Sequence, residues 1–304
     1  MGQRYHSVLG WPAAALPPRQ LLYAAAPADV LYAVSDSAIY ALSAGQFFRN
    51  AANGSAAFFA VLMAGHMTLT AHRATVNLMA RVSPLTTVRF DRPDIALAYD
   101  VFRDGVAPRH LAGLMVADRL GDVLRFIDMS DSTARELTGD SNGGTQTRDG
   151  AAAANAVVQP FAIVQVLESN VTTTPRFLFV QPGCVRLLKL TGGLLNTTSI
   201  ADVASLTPGC DTQTGFVALQ LHHALSIVHV VRVGSLGNAR LVRYHFDVDS
   251  GLLTSLAMSR MPKTGENHWG GLFVHPTHVG TSSVSWALNQ CPLVMLTRPS
   301  ATNI

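Results

Sequence analysis

Three cysteines in 304 residues, 13% charged residues and 7% aromatics mark this chain first by what it has little of. Cys184, Cys210 and Cys291 are odd in number and far apart. That spacing forms neither a metal-binding pair nor a disulfide framework, and predicts scattered free thiols in a reducing compartment. Few charges together with 48% hydrophobic residues exclude long disorder. Long apolar runs are also missing. A spanning helix needs about 20 nearly uninterrupted apolar residues, and the best stretch, 56–67, is too short and is broken by Gly65 and His66. Near the N-terminus Pro12, Pro17 and Pro18 interrupt any apolar core behind Arg4, so no signal peptide and no membrane partner are expected. The apolar bias, a mean hydropathy of +0.25, is therefore assigned to buried strands. A net charge of +3 is mildly basic, compatible with nucleic acid without requiring it.

What is there is a succession of short runs rich in Val, Leu, Tyr and Phe, separated by turn residues. Segments 29–42, 113–128 and 175–190 share one shape: apolar strand, tight turn, apolar strand. Asp36-Ser37, Leu120-Gly121-Asp122 and Pro182-Gly183 occupy the turns, which is the pattern of hairpins. No long helix is expected. The alanines of 151–156 sit in a Gly/Asp/Ser/Asn-rich stretch, 138–155, that reads as an irregular surface loop. Strands without interleaved helices point to an all-β architecture. The hairpins recur about every 40 to 50 residues, the period of four-stranded propeller blades. Tyr32, Ala60, Ala117, Val180, Val230 and Leu293 mark the expected blade centres. The expected fold is a single WD40-type β-propeller over residues 1–304, with six or seven degenerate blades, and a β-sandwich pair as the rival.

Catalytic constellations are missing too. The sequence holds no phosphate loop, no GxSxG elbow and no HExxH. His222 and His223 are adjacent, so on a strand they point to opposite faces and do not share a metal. Asp247 and Asp249 share a strand face, but they precede Ser250-Gly251, where Asp serves a turn. Asp118 and Asp122 flank the Leu120-Gly121 turn and read the same way. No catalytic residue, cofactor or metal is expected, and a propeller enzyme is the weakest reading because no acid or histidine cluster is visible. Arginines and lysines are dispersed. Arg186 and Lys189 stand out, following a turn on an otherwise apolar strand, where they suit a partner's acid.

Several segments, in order, resemble one family: the WD-repeat, non-catalytic subunit of the tRNA (guanine-N7) methyltransferase. Segment 114–126 (LMVADRLGDVLRF) is the most specific match; 71–90, 161–195, 240–253 and 292–299 are similar as well. The resemblance implies a non-catalytic accessory subunit that forms a heterodimer with a catalytic methyltransferase subunit, stabilises it and helps hold tRNA. S-adenosylmethionine would belong to that partner. It implies Arg186, Lys189 and Arg176 as partner-binding residues, Arg73 and Arg81 as RNA contacts, and the nucleus as the compartment, with the cytoplasm second. One departure matters: about 30 residues follow Asp128 before the next strand, too few for the family's docking blade. Arg186 matches the docking arginine only if 176–189 replaces that blade, and Cys184 then stands where a lysine is expected. A generic propeller scaffold for protein complexes is the alternative.

Overall fold

The computed structural model describes residues 18–24, 28, 30–43, 48–49, 56–57, 60–68, 82–100, 110–138, 148–151, 157–167, 174–196, 198–207, 215–222, 226–233, 239–260, 269–274, 284–288 and 294–296. Among them all regular structure is β-strand and there is no helix, so the all-β reading holds. The first sheet contains β1 (Gln20–Ala24), β2 (Val30–Val34) and β3 (Ala38–Ser43). After a small hairpin of β4 (Phe48–Arg49) and β5 (Ala56–Ala57) it ends with β6 (Ala60–Gly65). The second runs in the order β7-β11-β10-β9-β8, from β7 (Val82–Pro84), β8 (Pro93–Asp100), β9 (His110–Asp118), β10 (Val123–Asp128) and β11 (Thr133–Thr138). The third repeats that order with β12 (Gly150–Ala151), β13 (Phe161–Val166), β14 (Arg176–Gln181), β15 (Cys184–Thr191) and β16 (Ile200–Ser205). The fourth is β17 (Gly215–His222), β18 (Ile227–Val233), β19 (Ala239–Asp247) and β20 (Leu252–Arg260). The last is β21 (Trp269–Val274), β22 (Val284–Leu288) and β23 (Val294–Leu296).

The alternation of side chains explains how the sheets stack. On β9, Leu114 and Val116 face the first sheet and pack with Tyr32, Val34 and Ile39. Their neighbours Met115 and Ala117 face the third sheet and pack with Phe177, Phe179 and Leu188. On β14 the same period puts Leu178 and Val180 against Leu219, Leu221 and Val230 of the fourth. Middle strands are thus covered on both faces and read as continuous apolar runs, which accounts for the chain's hydropathy. Edge strands such as β1 alternate between covered and open positions. One edge strand of each sheet lies beside that of the next: β1 beside β8, β8 beside β13, β13 beside β17 and β17 beside β21.

The expected turns are where the sequence predicts them. Asp36-Ser37 joins β2 to β3, Leu120-Gly121-Asp122 joins β9 to β10, and Pro182-Gly183 joins β14 to β15. Gly121 is required because a Cβ there would come within 2.6 Å of the Asp118 carboxylate tucked under the turn. Three expectations are corrected. Tyr32 and Ala60 do not mark two blades: they lie on β2 and β6 of one sheet, and five sheets of three or more strands are formed among the described residues. The loop placed at 138–155 is narrower, because Thr138 closes β11 and Gly150–Ala151 forms β12, paired with β16. Finally, Cys184 is disulfide-bonded, not a free thiol, with its partner outside the described residues.

Candidate functional site

A recurring polar device lies inside the sheets. Where β9 and β14 end, each carries an acceptor, and two residues into the next strand stands a long donor: Asp118 with Arg125, Gln181 with Arg186. Arg125 and Asp118 are 4% and 1% exposed. Arg125 also donates to the Arg89 carbonyl at 3.0 Å and lies over Phe90. Burial pushes the Asp118 carboxyl up to about 6, although Arg125 and the Asp91 amide pull it down. A buried donor must be satisfied locally or it costs the full desolvation of the group, so these charges belong to the fold.

That assigns Arg186, the residue singled out for partner binding. It is fully buried, donates to Gln181 and, at 2.7 Å each, to the Arg148 carbonyl and Asp149. Burial raises the Asp149 carboxyl, but the hydrogen bonds from Ser205 and Arg186 outweigh it and leave the group below its usual value. Arg176 and Lys189 are brought together as direct cross-strand neighbours on β14 and β15, both partly exposed. Arg186, three residues before Lys189, projects from the other face of β15. Arg73 and Arg81 lie outside the described residues. Asp247 makes the expected turn, accepting from the amides of Asp249 at 2.9 Å and Ser250 at 3.2 Å. His222 closes β17, and His223 lies outside the described residues. No group of three or more His, Cys, Asp or Glu is placed to hold a metal among the described residues.

A different set of charges gathers where β1, β8 and β13 begin. Arg19, just before β1, pairs with Asp36 of the β2–β3 turn at 2.7 Å and with Asp94 of β8 at 3.7 Å, and donates to the Pro93 carbonyl at 2.9 Å. Asp94 in turn accepts from the Ala162 amide of β13 at 3.2 Å. Its carboxyl is pushed up, first by burial, against the pull of Arg19. Arg119, in the β9–β10 turn, lies 4.7 Å from the Phe161 ring centre. Burial lowers its pKa, and the nearby Arg92 and Arg19 lower it further, against the pull of Asp94. Two backbone bonds tie the arginines together: the Arg92 amide donates to the Asp36 carbonyl at 2.8 Å, and the Arg119 amide to the Arg92 carbonyl at 3.3 Å.

The backbone here is unusual. Arg92, Asp122, Gln159 and Ala162 all have positive φ, between 46° and 58°. Such positions cost side-chain-bearing residues energy and concentrate at functional sites. They are held by the contacts just described and by the Gln159 amide, which donates to Asp122 at 2.7 Å. The sequence reading missed this cluster because its members come from three sheets. The one visible signal was the basic and acidic residues beside the Leu120-Gly121 turn.

No family model and no curated protein matches the chain. Solved structures that it is similar to include a candidate 6-phosphogluconolactonase from Bacteroides fragilis, at 10% identity and a TM-score of 0.43, covering 90% of this chain and 64% of that one. A protein from Lactobacillus plantarum is 15% identical with a TM-score of 0.44, covering 92% and 84%. A candidate 6-phosphogluconolactonase from Bacteroides uniformis is 11% identical with a TM-score of 0.45, covering 94% and 88%. These values assign the chain to no family.

Proposed function

We propose that the chain is a β-propeller acting as a non-catalytic binding platform, with the rim where β1, β8 and β13 begin as its binding face. One observation carries this: strained backbone and converging arginines meet at the rim, whereas the Asp118–Arg125 and Arg186–Asp149 pairs are spent inside the fold. The propeller reading is supported by sheets stacked face to face with one edge strand of each adjacent to that of the next. It is supported also by the far face of the first sheet, where Ala33, Ala38, Tyr40 and Leu42 are buried in a cluster of their own, so that this sheet is covered on both faces as in a ring of sheets.

The narrower proposal is the accessory role in a tRNA (guanine-N7) methyltransferase complex, resting on the segment resemblance. In that role Arg176 and Lys189 are the docking candidates, since Arg186 has no free surface. A tagged full-length chain recovered from its source cells tests both. Co-recovery of a methyltransferase-fold partner with S-adenosylmethionine-dependent tRNA methylation, lost without this chain, supports the narrow role. A stable complex without that activity leaves the platform alone. Catalytic turnover by the isolated chain overturns both.

A further inference from the structure

Asparagine two positions ahead of a serine or threonine is the acceptor motif for N-linked glycan transfer. The chain carries it three times, as Asn53-Gly54-Ser55, Asn170-Val171-Thr172 and Asn196-Thr197-Thr198. The binding-platform reading uses none of them. Asn196 lies in the connection between β15 and β16 and is exposed, as is Thr198. The Thr198 amide and hydroxyl both donate to Asn196 Oδ1, at 3.0 Å and 2.8 Å. The motif's hydroxyl is thus bound to the amide that would be modified. It draws electron density toward Oδ1 and makes the Nδ2 protons easier to remove. Among the described residues Nδ2 itself donates to nothing. The loop is held from behind. The Arg135 side chain donates to the carbonyls of Leu194 and Asn196. Ser199 donates through Oγ to the Gly193 carbonyl at 2.6 Å and through its amide to the Asn196 carbonyl at 3.1 Å. Asn196 is therefore displayed on a fixed, exposed loop with its nitrogen open.

The strand order adds an independent observation. β1 and β13 begin at the charged rim, where Arg19 meets Asp36 and Asp94, and Asp94 meets the Ala162 amide. Every neighbouring strand in these two sheets runs antiparallel to the last. The connections β13–β14, β15–β16 and β3–β6 therefore join strand ends that lie away from the rim. Asn170, Asn196 and Asn53 fall, in that order, in these three connections. Asn53 and Asn170 lie outside the described residues and enter only by their place in the strand order. The motif thus occurs between strands each time, and each time at the end opposite the charged rim. The disulfide of Cys184 fits the same setting, since glycan transfer of this kind takes place where disulfides are also formed.

We propose that Asn196 is an N-glycan acceptor, with Asn53 and Asn170 as companions on the same end of the molecule. The transfer joins Nδ2 to the anomeric carbon of the first sugar. The bond from that carbon to the phosphate oxygen of a lipid-linked pyrophosphate oligosaccharide breaks, and the pyrophosphate leaves with the electron pair. Nδ2 gives up one proton to a base of the transferase. Glycans so placed leave the charged rim uncovered. The inference goes beyond the binding-platform reading and does not depend on it.

The test uses the full-length chain recovered from its source cells. It is treated with peptide N-glycosidase in heavy-oxygen water, which converts a glycan-bearing asparagine to labelled aspartate. Peptide mass spectrometry is expected to find the label at position 196, and at 53 and 170, and the intact chain is expected to migrate faster on a gel after treatment. Thr198→Ala removes the hydroxyl and is expected to abolish the label at 196 alone, whereas Thr198→Ser keeps it. Both are read from peptides, whatever the stability of the variant. An unlabelled Asn196 in the wild-type chain overturns the site, and so does a label at 196 that survives Thr198→Ala. A label at 196 with Asn53 and Asn170 bare supports the site and overturns the shared end.

Discussion

At the residue scale the fold depends on a few polar side chains that the apolar sheets could not tolerate unpaired. Gln165 on β13 reaches β8, donating to the Tyr99 carbonyl and accepting its amide, each at 2.8 Å. Gln20 on β1 does the same to Ile95 from the other side, at 2.9 and 2.8 Å. These two amides satisfy the open edge of β8, which otherwise would leave backbone groups unmet. Gln165→Leu should therefore destabilise the chain by about 1–3 kcal/mol in urea denaturation, the cost of orphaned buried groups; a loss below a few tenths would show that water replaces the clamp. Asp118, buried beside Arg125, is a second such group. The pair also predicts a pH dependence. The folded Asp118 carboxyl titrates at about 6 and its free value is 3.8. Between those values the folded protein holds a proton that the unfolded chain has lost, so stability declines as pH rises through that window. Unfolding midpoints measured from pH 4 to 7 should fall in the wild type and flatten in Asp118→Asn; parallel slopes would remove Asp118 as the cause. Sequence alone marked Arg186 as unusual, correctly, since a cation on an apolar strand needs a partner. It placed that partner on another protein. The true partners, Gln181 and Asp149, are visible only once β14 pairs with β15 and the segment around Arg148 folds over the edge.

At the element scale the hairpins were legible because their information is local: a turn and two apolar flanks lie within some twenty residues of each other. The joins between more distant strands were not. β6 lies 17 residues beyond the end of β3 (43 to 60) yet completes its sheet, so it was counted as a separate blade. β7 and β12 precede the sheets they join, and add themselves at the far edge beside β11 and β16. A two- or three-residue strand carries no periodicity to read. The tightest strand contact is at Gly113 of β9, opposite Asp128, where a Cβ would lie 1.9 Å from the Ile127 carbonyl oxygen and 3.0 Å from the Phe126 ring. Gly113→Ala must push β9 and β10 apart at the centre of the second sheet. It should cost about 1–3 kcal/mol, the usual penalty of overpacking, seen as a lower Tm. An unchanged Tm would mean that the sheet bends at little cost. The rim charge cluster escaped the sequence for a related reason: Arg19, Arg92 and Arg119 are separated by 73 and 27 positions, and only the adjacency of the edge strands β1, β8 and β13 brings them together.

At the scale of the whole molecule, sheets packed face to face share their cores in series, so a covalent tie at one of them acts on the rest. Cys184 opens β15, fully buried next to the Pro182-Gly183 turn, and is disulfide-bonded. Both remaining cysteines, Cys210 and Cys291, follow it, with 25 and 106 residues between them and Cys184. Cross-linking over such spans typically stabilises by about 2–4 kcal/mol, mainly by limiting the unfolded chain. Thermal unfolding with and without reductant, after mass spectrometry has confirmed the thiol state, should show a lower Tm on reduction. Cys184→Ala should reproduce that shift and respond no further to reductant. If reduction and Cys184→Ala both leave the Tm unchanged, the bond adds nothing to the fold, and the stacked apolar faces alone account for its stability.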